Sequence, residues 1–351
     1  AQTSQQANQA VGNGINLAGN LAIVGSNALT LAGNINGAGS LTKNGASNLT
    51  LNGGNGFLGG VTLNAGTLTV GSNTALGLGN LTVAGASTLD SNGAQSLGNN
   101  VVLNASLTNA GSNNLTLGGV VSGTGALVKN GAANLTLNGI NTYSGGTTLN
   151  AGTLTLGTSG ALGTGALTVA GASTLDNSSP LVLGNDVNVN ANLSLAGSND
   201  LTLGGVVAGA GTLTKNGLAD LTLTGNNTFS GTFDVQGGSL TTLSSGALGN
   251  NAGVNLGTGT TLNLGASAGV GSLTGSGTAI VGSGNTLSIG GSNLSSTFAG
   301  VLSGNGGLTK LGSGTLTLTG LNTLIGDTNV NAGTLRVNGS LDSGNVLVSN
   351  G

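Results

Sequence analysis

A long internal period is the strongest constraint on what this 351-residue sequence can fold into. The segment 123–156 reads GTGALVKNGAANLTLNGINTYSGGTTLNAGTLTL, and it returns with substitutions at 37–70, 209–240 and 304–337. Each copy carries one lysine, at Lys43, Lys129, Lys215 and Lys310. These lysines are separated by 86, 86 and 95 residues. Since a fixed long period is typical of chains that stack one structural unit on the next, we expect a repeat architecture.

The local pattern inside the period predicts short strands. Runs such as 49–51 (LTL), 81–83 (LTV) and 101–103 (VVL) are separated by Gly, Asn or Ser, and no stretch has a helical period. Alternation of apolar and hydroxyl residues places Leu and Val on one side and Thr on the other. The 72 glycines lack collagen's order, and with 37% apolar and 4% charged residues the chain is not typical of disorder. The class is therefore all-β.

The period is too long for one coil of a parallel β-helix, but four coils of about 21 residues fit it. We therefore predict a single-stranded β-solenoid of roughly 16 coils, with Leu and Val ladders and an Asn ladder inside. No linker or composition break is visible, so the prediction is one domain, 1–351. Its superrepeats are roughly 1–86, 87–172, 173–258 and 259–351.

The third interval is nine residues longer than the others. The segment 249–295 is least similar to its counterparts, which predicts a bulged corner or a surface loop there. The two ends of the sequence have matching phases: residue 1 corresponds to residue 87, and residue 351 corresponds to residue 86. One copy could then continue the ladder of another. We expect head-to-tail self-association through open β-helix ends, which gives a filament when the contact does not close.

Little in the composition supports catalysis. Without His, Cys or Glu, no serine-protease triad and no zinc–histidine site can form, and no catalytic, cofactor-binding or metal-binding residue is predicted. The eight aspartates are isolated, and exchange with Asn at one corner (Asp200 against Asn114) indicates turn chemistry. No basic stripe for nucleic acid and no apolar run for a membrane helix is present.

Two recurring side chains have competing interpretations. The lysines share one phase and are predicted to line one face, as solvated corner charges or, less favoured, as a track for an anionic polysaccharide. Phe57, Tyr143 and Phe229 also share a phase, where the fourth copy has Leu324. Replacement by leucine favours packing in the core or at a corner over stacking on a sugar.

The unit G-x-G-x-L-x-K-x-G-x-x-x-L-T-L-x-G-x-N-T-Y-S-G-G-T-T-L-N-A-G-T-L resembles the passenger-associated transport repeat of bacterial autotransporters. The copy at 123–156 matches nearly throughout, and the others match in part. The resemblance implies a right-handed parallel β-helix exported by Gram-negative bacteria to the cell surface or beyond. No translocator barrel and no inserted effector domain is predicted within the 351 residues.

The expected function is structural: a non-catalytic, secreted subunit of a surface fibre or stalk that assembles end to end. An adhesin passenger that binds a host or cell-surface ligand through 249–295 is the alternative. A polysaccharide-active β-helix enzyme ranks lower because clustered acids are lacking. Cell-surface or matrix polysaccharide remains a possible partner.

Overall fold

The computed structural model describes residues 8–249 and 251–349. Over these residues the chain is a parallel β-solenoid of about 17 turns without a helix, which confirms the prediction of a right-handed β-helix of roughly 16 coils. The chain divides into two compact units at Leu167 and Thr168. The phase match of the two chain ends falls partly on residues 1–7 and 350–351, outside the described residues.

The strands are two to five residues long. Unit 1 contains β1 (Gln9–Val11), β2 (Ile15–Leu17), β3 (Leu21–Ile23), β4 (Leu29–Leu31), β5 (Ile35–Gly37), β6 (Leu41–Lys43), β7 (Asn48–Leu51), β8 (Val61–Leu63), β9 (Thr67–Val70), β10 (Leu81–Val83), β11 (Ser87–Ser91), β12 (Gln95–Leu97), β13 (Val101–Leu103), β14 (Leu107–Asn109), β15 (Leu115–Leu117), β16 (Val121–Gly123), β17 (Leu127–Lys129), β18 (Leu135–Leu137), β19 (Thr147–Leu149) and β20 (Gly152–Leu156), followed at the division by β21 (Leu167–Val169). Unit 2 continues with β22 (Ser173–Asn177), β23 (Leu181–Leu183), β24 (Val187–Val189), β25 (Leu193–Leu195), β26 (Leu201–Leu203), β27 (Val207–Ala208), β28 (Thr212–Lys215), β29 (Leu221–Leu223), β30 (Thr232–Val235), β31 (Ser239–Thr242), β32 (Gly253–Leu256), β33 (Thr261–Leu264), β34 (Ala268–Val270), β35 (Ser272–Gly275), β36 (Thr278–Val281), β37 (Thr286–Ile289), β38 (Ser296–Phe298), β39 (Val301–Gly304), β40 (Gly307–Lys310), β41 (Thr315–Leu318), β42 (Leu321–Leu324), β43 (Thr328–Val330), β44 (Thr334–Val337), β45 (Ser340–Leu341) and β46 (Val346–Val348).

In unit 1 the strands stack on three sides of the coil. One side holds β1-β4-β7-β9-β11-β14-β17-β19 in that order, and another holds β3-β6-β8-β10-β13-β16. The side between them holds β2-β5 and then β12-β15-β18-β20, with an interruption where two successive coils have no strand. Neighbouring strands are parallel and in register, as in the pairing of Leu81 with Val61 and with Val101.

Unit 2 has the same three-sided plan. Its sheets are β22-β25-β28-β30-β32-β35-β38-β41-β44, β23-β26-β29-β31-β33-β36-β39-β42-β45 and β34-β37-β40-β43-β46, with the pair β24-β27 in addition. Most three-residue strands bury their first and third side chains and leave the middle one partly exposed, as in β26 and β29. The predicted Leu/Val interior and Thr exterior are therefore confirmed, and glycines at positive φ form many of the corners.

The coil is shorter than predicted, and this changes where the repeats lie. In unit 1, Lys43 pairs with Leu63, and the ladder continues through Val83 and Leu103 to Gly123. Each step is 20 residues, the same separation as between the bonded side chains of Asn64 and Asn44. Four turns from Lys43 therefore end at Gly123, and the superrepeat ends six residues further, at Lys129 on the next side. The prediction that the lysines line one face is wrong.

The nine extra residues of the third interval do not form a surface loop. From Lys215 the ladder runs through Val235, Leu256 and Gly275 to Phe298. These four turns are together three residues longer than four turns of unit 1. Lys310 follows Phe298 by twelve residues, which places it two sides of the coil further along the chain. The remaining six extra residues therefore move the fourth copy of the repeat by one additional side of the coil. The segment 251–295 stays within the solenoid as strands β32–β37, but its turns are unequal: Thr261 pairs with Thr278, 17 residues further, and Thr278 pairs with Val301, 23 residues further. The longer turn contains a mostly exposed corner at 290–295, where Asn293 has a φ of 61°, so the structure has the predicted bulged corner and not a surface loop.

Candidate functional site

The lysines of the repeats lie inside the coil. Lys43 is 1% exposed, and its Nζ donates to the carbonyl oxygens of Gly45, at 2.5 Å, and Ala65, at 3.0 Å. Gly45 is in the corner that follows the lysine, and Ala65 is in the corresponding corner of the next coil. Equivalent bonds join Lys129 to Gly131 and Ala151, Lys215 to Gly217 and Gly237, and Lys310 to Leu311, Gly312 and Ala332.

Burial lowers the pKa of all four lysines below the ordinary 10.5, because the charged ammonium group loses water. At Lys215 the carboxylates of Asp220 and Asp200 oppose that shift. Carbonyl dipoles from two coils replace the lost water, so each lysine joins neighbouring coils. Both sequence interpretations, a solvated corner charge and a polysaccharide track, are therefore wrong. The alternation of side chains along the strand does predict buried lysines, since the side chains of Leu41 and Lys43 point to the same face of the strand and that of Thr42 points to the other.

A buried asparagine bridges each place where the strands are interrupted. In unit 1, the Oδ1 of Asn141 accepts from the Val121 amide at 2.7 Å, and its Nδ2 donates to the Ala161 carbonyl at 2.6 Å. These partners are 20 residues before and after Asn141, so one side chain replaces a ladder between three coils. The same arrangement occurs at Asn55 and Asn227. In the fourth copy the strands are not interrupted, and Asn322 lies within β42, where its Oδ1 accepts from the Leu302 amide and its Nδ2 donates to the carbonyls of Gly320 and Ser340.

This result partly corrects the predicted interior Asn ladder. The bridging asparagines bond to backbone groups and occur once per superrepeat, at Asn55, Asn141, Asn227 and Asn322. Direct amide-to-amide bonds between coils are exposed, as from Asn64 to Asn44 at 2.5 Å and from Asn150 to Asn130 at 2.6 Å.

The aromatic residue of each of the first three copies fills the same interruption. Phe57, Tyr143 and Phe229 are fully buried, and Leu324 is buried in the fourth copy, which confirms core packing. In the coil above Tyr143 is Gly163, whose φ is 63° and whose added Cβ would lie 3.0 Å from the ring. This turn, Ala161-Leu162-Gly163, recurs as 75–77 and 247–249 and was not recognised from the sequence.

The residue four positions after the aromatic residue differs between copies, and the contact that it makes with the aromatic side chain differs accordingly. The hydroxyl of Tyr143 lies 2.6 Å from Thr147 Oγ1, and burial raises the Tyr143 pKa to about 12. In the third copy, Phe229 packs on Phe233 with ring centroids 4.6 Å apart.

The aspartates stabilise corners, as predicted. Asp200 Oδ1 accepts from the Asp220 amide at 2.8 Å, matching the 2.9 Å bond from the Asn134 amide to Asn114 Oδ1 one superrepeat earlier. Asp90 accepts from the amide and the hydroxyl of Ser112. Over the described part of the chain, no three His, Cys, Asp or Glu side chains group as a possible metal site. No helix there is long and apolar enough to cross a membrane.

One buried side chain in unit 1 has no partner. Asn109 is 2% exposed, and neither its Oδ1 nor its Nδ2 has a hydrogen-bond partner. Its strand pairs it with Leu89 on one side and Lys129 on the other. The sequence gives no hint of this, because the missing partners would lie in other coils.

The comparisons with known proteins agree with this geometry. The family model described as passenger-associated-transport-repeat matches residues 41–70, 127–156, 213–248 and 308–337. A segment of 58 residues is 47% identical to an adhesin BmaC autotransporter of Brucella suis biovar 1 (strain 1330). That segment is 16% of this chain and only 2% of the relative. No solved structure matches the chain.

The matches fall within the four repeat segments identified in the sequence, and the third extends into the Ala247-Leu248 turn. The chain thus carries four passenger-associated transport repeats on a parallel β-solenoid, and in these segments it is similar to the passengers of autotransporters.

Proposed function

We propose that this chain is a non-catalytic structural protein, a β-solenoid stalk or fibre subunit of an autotransporter passenger. One observation carries the proposal: the distinctive side chains of the repeat, its lysine, asparagine and aromatic residue, are buried and bonded or packed between coils. A side chain used in this way holds coils together and is not accessible to a substrate.

The positions of the copies support the same function. Within unit 1, Lys43 and Lys129 lie on different sheets, and within unit 2 so do Lys215 and Lys310. Repeated binding sites for one extended ligand would need a common face. A role in the coil interior has no such requirement, because every side of the coil has an inside.

We expect the chain outside the cell, on the surface of a Gram-negative bacterium or released from it. The four repeats and the autotransporter relative support this location. A cell-surface or matrix polysaccharide stays a possible partner through exposed hydroxyl and amide groups, without the buried lysines.

Head-to-tail stacking of copies extends the proposal. Each coil bonds to the next through an in-register parallel ladder, as in the step from Leu201 to Leu221. A free coil edge presents the groups that another free edge needs, and this is the contact that edge-protecting devices normally prevent.

Negative-stain microscopy of the purified chain at rising concentration tests this assembly. Filaments whose fibre diffraction has a ~4.8 Å axial spacing are expected. Particles that remain single at every concentration would contradict stacking. A carbohydrate-cleavage screen tests the non-catalytic part, since any turnover would contradict it.

An adhesin passenger is the second candidate, favoured by the relative's printed name. Beads coated with the chain should then be retained on host or bacterial cells above albumin-coated beads. Retention without filament formation would favour this candidate over the fibre.

A further inference from the structure

The tripeptide Asn-Gly-Ala recurs at the corners of unit 1. It occupies residues 44–46, 92–94 and 130–132, and a fourth copy at 36–38 overlaps strand β5. An asparagine before glycine is prone to close a ring with the chain, because glycine has no side chain to shield its amide nitrogen. The three corner copies share one local sequence, so their surroundings in the fold decide which of them reacts.

Two of these corners are clamped by the lysine of the repeat. Lys129 directly precedes Asn130, and its Nζ donates to the Gly131 carbonyl. The carboxamide of Asn130 is held as well, since its Oδ1 accepts from Nδ2 of Asn150 at 2.6 Å. The corner at 44–46 has the same two bonds, from the preceding lysine at 2.5 Å and from the asparagine of the next coil at 2.5 Å. Ring closure at these corners has to break both bonds.

The corner at 92–94 has no such clamp. Ser91 takes the place of the lysine, on the inner side of its strand, and its hydroxyl donates to a carbonyl of the next coil. Within residues 8–249 and 251–349, no hydrogen bond reaches the amide or the carbonyl of Gly93. Among the same residues, none donates to Oδ1 of the exposed Asn92. The nitrogen and the carboxamide that form the ring are therefore both accessible.

We propose that the Asn92–Gly93 corner converts itself to aspartate and isoaspartate. The Gly93 nitrogen attacks Cγ of Asn92, so a Cγ–N bond forms and the Cγ–Nδ2 bond breaks. The leaving nitrogen takes the proton of the Gly93 amide and departs as ammonia. Water then opens the ring by adding its hydroxyl to one of the two carbonyl carbons and its proton to the ring nitrogen. Addition at Cγ gives aspartate, and addition at the main-chain carbon gives isoaspartate, whose backbone runs through Cγ.

The reaction removes a bond between coils. Nδ2 of Asn92 donates to Oδ1 of Asn52 at 2.8 Å, across 40 residues and therefore two coils. The bond passes over Gly71 in the coil between them, where an added Cβ would lie 2.1 Å from Asn52 and 3.0 Å from Asn92. A carboxylate at position 92 only accepts hydrogen bonds and faces another acceptor, so this bond is lost.

The reaction also adds charge to a nearly uncharged exterior. Residues 8–167 contain three charged side chains, and of these Lys43 and Lys129 are buried whereas Asp90 faces outward. The product places a second carboxylate two residues from Asp90. Charge of one sign opposes the association of copies, so chains should repel one another more as they age. The modification is independent of the proposed structural role.

Peptide mass spectrometry compares the three corners within one chain. The folded chain is kept in mildly alkaline buffer beside the same chain in urea, and both are then digested with pepsin in acid, where ring closure is slow. In urea the three asparagines should react at similar rates, because their local sequences match. In the folded chain Asn92 should react about tenfold faster than Asn44 and Asn130, each of which has two bonds to break. A ratio above about threefold supports the proposal, and a smaller ratio, or a folded chain that does not react at Asn92, overturns it.

Gly93→Ala tests the attacking nitrogen. The added Cβ has Gln95 Nε2 as its nearest neighbour, at 3.6 Å, so the folded corner accepts it. The methyl group shields the nitrogen and should slow the reaction at Asn92, while the other two corners keep their wild-type rates. An unchanged rate at Asn92 in this variant overturns the proposal.

Lys129→Met tests the clamp, since methionine fills similar space without an ammonium group. It should raise the rate at Asn130 by at least about threefold, while the corner at 44–46 keeps its lysine and its rate. A variant that is folded by circular dichroism and reacts at Asn130 no faster than the wild type overturns the protective role of the lysine.

Discussion

Asn109 offers a substitution that should stabilise the solenoid. Its amide is buried without a partner, between Leu89 and Lys129 in neighbouring coils. One superrepeat later, Leu195 occupies the corresponding position between Leu175 and Lys215 and is 3% exposed. The third superrepeat therefore naturally has leucine at the position that corresponds to Asn109, between a leucine and a lysine as in the second.

The expected gain follows from two terms. Removing a buried amide without hydrogen bonds relieves about 1–3 kcal/mol, and burying a leucine side chain contributes about 1.5–3 kcal/mol. Fitting the larger side chain into a closed coil costs about 1–3 kcal/mol. We expect Asn109→Leu to raise the free energy of unfolding by about 1–2 kcal/mol, and the reciprocal Leu195→Asn to lower it by about 2–4 kcal/mol.

Urea unfolding followed by circular dichroism measures both variants, as a shift in midpoint at constant slope. Stacked coils can unfold in parts, so hydrogen exchange at the Ala110 amide, which donates to the Leu89 carbonyl, gives a local measure. An unchanged or lower midpoint for Asn109→Leu, with Leu195→Asn destabilised, would refute the reasoning. The amide of Asn109 would then have a partner after all.

Three further predictions concern the interruption clusters and the buried ionisable groups. Tyr143→Phe leaves the Thr147 hydroxyl buried without its partner and should lower the free energy of unfolding by about 1–2 kcal/mol. Adding Thr147→Val gives the combination that the first copy has in Phe57 and Val61, and a double-mutant cycle should show that it recovers most of this loss. Asn227→Ala removes two bonds of 2.7 and 2.6 Å and should cost about 2–4 kcal/mol, whereas Ala at the exposed neighbour Asn226 should change stability by less than about 0.5 kcal/mol. As pH rises toward 10.5 the buried lysines should stabilise the fold, because their pKa is lowered on folding and the unfolded chain holds more protons. The folded pKa of Tyr143 is raised from 10.0 to about 12, so its contribution is lost between those pH values as the unfolded phenol ionises, by up to about 3 kcal/mol. A pH series of urea midpoints checks this, and Tyr143→Phe should not show the alkaline loss.

The sequence predicts the solenoid well because its interior follows simple rules. Alternating Leu and Thr define the two sides of each strand, and glycines mark the corners, so architecture and coil number could be inferred. Coil length could not, since the superrepeat divides into four equal turns of about 21 residues almost as well as into four slightly shorter turns with a remainder. That remainder of six residues, between Gly123 and Lys129, moves the repeat to the next side.

The lysines show why charge was a poor guide to burial here. An ammonium group usually stays in water, so this general rule predicts an exposed lysine, whereas the alternation of Leu41, Thr42 and Lys43 places Lys43 on the buried side of its strand. The carbonyl oxygens that accept from Lys43 belong to Gly45 and to Ala65, a residue 22 positions further along the chain. Partners at such distances appear only when the coil length is known. The bridging bonds of Asn141 and the unpaired amide of Asn109 were not predicted for the same reason.

The remainder also bears on what the repeat is for. A superrepeat of four whole turns would stack every lysine and asparagine of unit 1 on one side, leaving the other sides without such bonds between coils. With the remainder, Lys43 joins coils on the β6-β8 side and Lys129 joins them on the β17-β19 side. The joints are thereby distributed around the coil, so bending in either direction works against a bonded side. The same rotation prevents equivalent outward residues from facing one ligand together. A repeat that rotates in this way is therefore suited to holding a stack of coils together on all its sides, and a partner would have to be recognised by residues that differ between the copies.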